Sequence, residues 1–350
     1  MLPEIFVIGL SIVLASLFLW GFRVLPNERW QVIGCLLSEK SPDGGWKGLN
    51  LTYYGFFNAT AYLLAAVVFF ILMGALSVPP VGAMILLVAI LGICMPASGL
   101  IAFWVEGKAN TFTVGGASFI GLIASPWIVL AMNWTLGSRL GFSIPVLSVL
   151  AAISIAYALG EGVGRLACIS FGCCYGKPLS ECSPLIRRIF RGRGFIFSGA
   201  TKKIAYADHL DGSEVVPIQA LTALLLTGSG LFGCYFFLKG FHFTTFAVLL
   251  VVTQAWRILS EFLRADYRGK GRISAYQIMA LIAIVYTFVL LTLFPTTGGK
   301  TPDLREGLLA LWKPDVILFF EMIWGAAFIY TGRSRMTGAS VRLHVVRERI

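Results

Sequence analysis

Charge is scarce in this chain. Asp, Glu, Lys and Arg make up 13% of its 350 residues, where a soluble globular domain carries roughly 25%. Histidine is almost missing, and the three present, His209, His242 and His344, have no identifiable partners in the sequence. No fixed-period repeat and no low-complexity tract occurs, which removes solenoid and linker architectures. Alternating strands of about ten residues are also missing, which removes a membrane β-barrel. Seven cysteines are scattered through or beside apolar runs and frame no disulfide scaffold. Cys173 and Cys174 are adjacent and poorly placed to bond each other. With Cys182 they offer three thiols, but no C-x-x-C pair or nearby histidine completes a ligand set, so no metal and no other cofactor is expected.

What remains is overwhelmingly apolar, with 57% hydrophobic residues and a mean hydropathy of +0.83. In lipid every backbone polar group must be satisfied within the chain, so long apolar runs become helices. Nine runs approach the ~20 residues a bilayer needs: 3–22, 51–76, 79–105, 112–133, 143–170, 216–238, 243–263, 275–294 and 309–330. The last is interrupted by Lys313, Pro314, Asp315 and Glu321. The expectation is therefore an all-α, polytopic membrane helix bundle of eight or nine spans, with residues 171–215 as a small extramembrane subdomain. The first run has no basic leader and no small-residue cleavage site, so it reads as a retained helix. A transporter is disfavoured, because no inverted pair of broken helices is visible.

Net charge is +11. In a membrane chain the partner of such charge is anionic lipid rather than nucleic acid. With nine spans, the loops on one side hold 21 Lys and Arg residues and those on the other hold 4. The positive-inside rule then places the richer side in the cytoplasm and the N-terminus outside. Lys177, Arg187, Arg188, Arg191, Arg193, Lys202 and Lys203 make segment 171–215 basic, and topogenic charge accounts for them individually.

Ionisable residues inside spans cost about 2.5–3.5 kcal/mol each and mark function when they pair in the bundle. Glu161 and Arg165 stand four apart in the fifth run and share a helix face. Arg257, Glu261 and Arg264 follow at i, i+4 and i+7 late in the seventh, two guanidiniums flanking one carboxylate. Planar Arg donors suit bidentate phosphate contacts, so a phospholipid head group fits. Snorkelling arginines at a helix end are the plainer alternative. Gly172 and Gly176, and the pair Gly115 and Gly116, allow either close helix packing or approach of a ligand.

Together these residues resemble the prolipoprotein diacylglyceryl transferase family of bacterial inner-membrane enzymes. The likeness runs from about residue 51 to 294 and is carried by T-Y-Y-G-F at 52–56, V-G-G at 114–116, G-V-G-R-L-A-C-I-S-F-G-C-C-Y-G-K at 162–177, V-P-I-Q at 216–219, W-R-I-L-S-E-F-L-R at 256–264 and R-I-S-A-Y-Q at 272–277. The resemblance divides the chain into residues 1–50, an extra helix and loop; 51–294, the transferase-like membrane domain; and 295–350, an extension with a further helix and basic tail. It implies transfer of a diacylglyceryl group from phosphatidylglycerol to the cysteine thiol of a prolipoprotein, releasing glycerol phosphate. Arg165 and Arg257 would stabilise the departing phosphate. Glu261 or Tyr54 would take part in removing the thiol proton. Gly115, Gly116, Glu161, Cys168, Gly176, Gln219 and Arg264 would line the substrate site. Val114 stands where the family places a histidine, Cys168 where it has asparagine, Cys173 at an acidic position, and Leu221 and Thr222 where tyrosine and glutamate follow the motif glutamine. These differences keep two alternatives open: another acceptor on the cytoplasmic side, and a noncatalytic phospholipid-binding protein. The resemblance also implies a motif side that faces outward, opposite to the charge count.

Overall fold

The apolar runs do form helices. The computed structural model describes residues 1–107, 113–140, 143–266, 273–294 and 301–350. Lys108, Arg268, Lys270, Arg272 and Lys300, which enter the loop-charge totals above, and Phe112, which begins the fourth run, lie outside the described residues. Among those described, nine helices are long and apolar enough to cross a bilayer, which makes this a multi-pass membrane protein.

In chain order, helix α1 (Leu2–Val24) leads into a hairpin of β1 (Val32–Lys40) and β2 (Trp46–Thr52). Then come α2 (Tyr53–Ala75), α3 (Pro80–Glu106) and α4 (Val114–Met132), the last extended by a π-helical turn, Asn133–Gly137, and a final α-helical turn, α5 (Ser138–Leu140). Helix α6 (Val146–Phe171) is followed by a segment between two spans that holds α7 (Pro184–Phe190), β3 (Phe195–Ile196), α8 (Lys203–Asp208) and β4 (Glu214–Val215), in which β3 and β4 pair. The chain re-enters the membrane as α9 (Ile218–Leu238), α10 (His242–Glu261) and α11 (Ala275–Leu293). A short α12 (Leu304–Ala310), α13 (Pro314–Gly332) and β5 (Arg333–Val341) complete it.

The ninth span is real by length and composition, and three of its interrupting residues, Lys313, Pro314 and Asp315, turn out to be its start, while Glu321 lies within the helix. Pro314 occupies the first helical turn, where a missing N–H costs nothing, and Asp315 complements the helix dipole there. Strand β5 then pairs with β2, while Gly55 at the start of α2 packs against Gly332 at the end of α13. These contacts hold both ends on the same side as β1 and β2. Sheet order is β1-β2-β5, so residues 23–50, read from sequence only as a loop, contain a hairpin.

Helix α6 is the axis of the bundle: 83% of its most apolar window is buried, against 17% for α1 and 11% for α13. Small residues let its neighbours approach, as membrane interfaces require. A Cβ added at Gly162 would lie 2.2 Å from Thr227 Oγ1 of α9. The outer helices turn Ile5, Ile12, Leu281, Val285 and Phe288 outward, as lipid-facing surfaces should.

One lysine ties the segment between α6 and α9 to the bundle. Lys202 is fully buried, and its Nζ donates to Ser170 O at 2.6 Å and to Leu25 O at 3.2 Å. Those carbonyls belong to the C-terminal ends of α6 and α1, where helix dipoles are negative. Burial pushes the Lys202 ammonium down to about 8, although the Glu28 charge opposes the shift. The unfolded chain keeps this proton up to the usual 10.5, whereas the folded chain releases it from about 8. Stability should therefore rise with pH between those values. Lys202→Met strands two carbonyls and is expected to destabilise by roughly 1–3 kcal/mol. Thermal midpoints in detergent micelles check both points: the variant should melt lower and lose the alkaline gain, and parallel pH profiles would contradict it.

Candidate active site

Helical spacing puts Tyr157, Glu161 and Arg165 on one face of α6, at i, i+4 and i+8. The Arg165 guanidinium and the Tyr157 hydroxyl both donate to the Glu161 carboxylate. From α10, Arg257 Nη2 donates at 3.2 Å to Glu161 Oε2, the oxygen that also accepts from Tyr157, and donates to the Tyr157 hydroxyl as well. The Glu161 side chain is 5% exposed, and those of Arg165 and Arg257 are 12% and 15% exposed. Two cations thus share one anion, leaving one net positive charge inside the bundle. Among the described residues, the buried Nε atoms of Arg165 and Arg257 have no hydrogen-bond partner.

The start of α4 lies over this cluster. A Cβ on Gly115 would fall 2.6 Å from Arg257 Nη1 and 2.9 Å from Tyr276 Cδ1. Glycine at 115 is therefore what lets the guanidinium sit against the first turn of α4, whose leading N–H groups have no partner within the helix. Thr113, the N-cap, exchanges hydrogen bonds with Ser98 through its backbone. Its Oγ1 is buried and has no hydrogen-bond partner among the described residues. Gly116 turns the other way, toward Ile101 of α3 and the Thr113 methyl.

A second group of polar atoms adjoins the first where α6 ends. Arg165 interacts electrostatically with Cys168. The sulfurs of Cys168, Cys173 and Cys174 lie within 4.8 Å of one another. The Tyr54 hydroxyl, at the start of α2, acts electrostatically on all three and meets the Asn58 side chain, while its ring packs on Phe171 with centroids 5.4 Å apart. Gln219 Nε2 donates to Cys173 O at 3.0 Å. The Cys173 thiol is held well above its usual range by the neighbouring Cys168 and Cys174 and by burial. Beyond Cys174, Gly176 and Arg264 form an antiparallel bridge, and a Cβ on Gly176 would strike Val216 O at 2.3 Å.

Two sequence expectations change. Arg257, Glu261 and Arg264 do not form a ladder, because α10 ends at Glu261 and the chain turns before Arg264. Among the described residues, Arg257 bridges to Glu161 and Arg264 bridges bidentately to Asp266 at 2.8 and 3.0 Å. Glu261 bridges to neither and acts on Arg264 only through its charge. Cys182 stands apart from the thiol group: its sulfur donates to Pro178 O at 3.4 Å and packs with Leu179 and Val216. Cys168 takes the place that spacing gave to Cys182. Tyr157 was overlooked, although its position four residues before Glu161 was a readable signal. Leu221 lines an apolar groove of about 390 Å³ with Phe22, Arg23 and Arg193, and Thr222 Oγ1 accepts from Trp256 Nε1 at 3.0 Å.

Removing the shared anion tests the electrostatics directly. Glu161→Ala leaves two buried guanidiniums facing each other, a loss of about 3–5 kcal/mol. The expected outcome is a strongly lowered thermal midpoint or failure to accumulate in membranes. Glu161→Gln, which still accepts hydrogen bonds, should fall between the two, and an Ala variant as stable as the parent would contradict the geometry.

Comparison with known proteins bears on the same segment. A family model described as prolipoprotein diacylglyceryl transferase matches residues 46–293. The chain is 25% identical over 193 residues to phosphatidylglycerol–prolipoprotein diacylglyceryl transferase 2 of Clostridium perfringens (strain 13 / Type A), covering 55% of this chain and 65% of that one. It is 26% identical over 183 residues to phosphatidylglycerol–prolipoprotein diacylglyceryl transferase of Clostridium tetani (strain Massachusetts / E88), covering 50% and 61%. The chain thus spans somewhat less than two thirds of the length of these relatives. Since the matched segment contains Arg165, Arg257 and the glycine pair over them, the chain belongs to the prolipoprotein diacylglyceryl transferase family.

Proposed function

We propose that this protein transfers a diacylglyceryl group from phosphatidylglycerol to the cysteine thiol of a prolipoprotein in the bacterial inner membrane, using residues 51–294 as its transferase domain. The observation that carries the reading is the arrangement of two buried guanidiniums on one carboxylate beneath the start of α4, within the family match. Breaking the glycerol carbon–oxygen bond develops charge on the departing phosphate, and donors already aimed at that charge are the largest source of rate. Arg165 and Arg257 supply those donors, including two Nε groups that no atom of the described residues uses. Glu161 acts as a positioning residue, holding both planes while cancelling only one of the two charges. Gly115 admits Arg257, Gly116 and Gly176 permit close backbone packing, and Gln219 fixes the turn that bears Cys173. Tyr54, beside the thiol group, and Glu261, near Arg264, remain the residues assigned to proton handling, with Cys168 at the edge of the head-group site.

A second reading, transfer to a different acceptor on the cytoplasmic side, is favoured by the 21-to-4 distribution of basic loop residues and by Val114. Sidedness separates the two. Ser183 is exposed in the extramembrane segment, so a membrane-impermeant maleimide should label Ser183→Cys in intact spheroplasts if that segment faces outward. Labelling only after lysis would support the cytoplasmic reading.

Activity is tested in cells depleted of their own diacylglyceryl transferase. Expression of this chain should restore lipidation of a reporter prolipoprotein. Arg165→Ala and Arg257→Ala should each lower the rate by about 100- to 1,000-fold. Arg257→Lys should recover little of that loss, because an ammonium does not reproduce the planar fork. Full activity in both Ala variants would remove the phosphate-clamp reading.

A further inference from the structure

The proposed reaction needs a thiolate, the nucleophilic form of the acceptor, and among the described residues none of His209, His242 and His344 acts on Cys168 or Cys173 beside the cluster to produce it. Among the described residues, His242 begins α10 at the end remote from Arg257, and His209 caps α8. Three sulfurs lie there instead. Cys168 is in the last turn of α6, and Cys173 and Cys174 follow the helix end, all within 4.8 Å of one another.

The turn that gathers them is specialised. Gly172 at φ 69° stops the helix, and Cys174 at φ 56° adopts a left-handed conformation that is uncommon for a residue with a side chain. The Cys173 N–H donates to Cys168 O at 3.0 Å, and Gln219 fixes the Cys173 carbonyl, also at 3.0 Å. Positive charge acts on the group from two sides, from Arg165 on Cys168 and from Arg264 on Cys174. The set contains sulfur only, which selects a soft metal ion over magnesium or calcium. In a tetrahedral site with bonds of about 2.3 Å, sulfurs lie about 3.8 Å apart. The triad needs to contract by no more than about 1 Å to reach that spacing.

We propose that Cys168, Cys173 and Cys174 bind Zn²⁺ through three thiolates and leave its fourth position to the acceptor thiol. Three protein ligands with one open position are the pattern of catalytic rather than structural zinc, and a thiol that coordinates the ion is deprotonated outright. The use of the fourth position rests on the proposed transfer; the binding of zinc does not. In the step itself, the acceptor thiol coordinates the ion and releases its proton. The sulfur lone pair forms a bond to the terminal glycerol carbon of the lipid as that carbon's bond to phosphate oxygen breaks. Its electron pair leaves with glycerol phosphate between Arg165 and Arg257. The released proton balances the additional charge of that phosphate monoester, and the neutral thioether product is a poor ligand that dissociates.

The test uses the full chain, purified in detergent with a phosphine reductant, stripped with a chelator and titrated with Co²⁺. One equivalent should bind with a near-ultraviolet sulfur-to-cobalt charge-transfer band that Zn²⁺ abolishes. Cys168→Ser, Cys173→Ser and Cys174→Ser should each lose stoichiometric binding, whereas Cys182→Ser keeps it. A peptide with one cysteine should strengthen the band, and its serine counterpart should not. No band in the wild-type chain overturns the proposal without recourse to any variant, so misfolding of a serine chain cannot blur the result. A band that survives in the triple serine variant, or ignores the peptide thiol, overturns it as well. Lipidation should fall about 100-fold or more in the stripped chain. Wild-type lipidation by the triple serine variant would remove the ion's role and leave the transfer standing. A zinc-loaded, thiol-responsive chain that lipidates nothing would keep the site and remove the transfer reading.

Discussion

The structure depends on one shared carboxylate. Glu161 sits in the most enclosed helix and holds an arginine from its own next turn and another from α10. Neither guanidinium would be tolerable alone at this depth, because a buried charge without a partner is strongly unfavourable. The triad fixes the rotation of α6 and α10 about their axes, since Arg257 reaches Glu161 only when those faces meet. It also dictates the residue at the start of α4, where any side chain at position 115 would collide with Arg257 or Tyr276. The residual positive charge suits the site to an anion.

Around that triad the bundle is assembled from contacts that need little specificity beyond size. Gly162 meets α9, Gly160 meets Ala65 of α2, and Gly307 of α12 lies against the Ile71 carbonyl. Such contacts bring backbones close where lipid offers no hydrophobic driving force. Polar precision is reserved for the motif side, where Lys202 gathers two helix ends and Gln219 anchors the turn after α6.

The helices were legible because a bilayer imposes a length and an apolarity that a sequence displays directly. So was the pairing of Glu161 with Arg165, which needs only helical spacing. The partner of Arg257 was not. A residue 96 positions away competes with one four positions away, and nothing local in the sequence reveals that α10 ends at Glu261 and turns Arg264 toward Asp266. The thiol group was half visible, since adjacent Cys173 and Cys174 announced themselves. Choosing Cys168 over Cys182 required knowing that the chain reverses through left-handed residues at 172 and 174. The sheet was hidden because its third strand, which pairs with β2, comes from the other end of the chain, and the β1–β2 hairpin lies in a stretch read as loop.

That sheet bears on how the protein is made. Strand β2 is translated before eight of the nine spanning helices, yet one of its edges stays open until β5 follows α13. Its backbone donors and acceptors on that edge have only water or a passing strand to satisfy them in the interval. Completion of the sheet thus reports that the last helix has been inserted in the correct sense, since an inverted α13 would deliver β5 to the wrong face of the bilayer. The clasp of β2 and β5 can close only where α13 ends on the face from which α2 departs, so it couples the start of the second span to the end of the ninth.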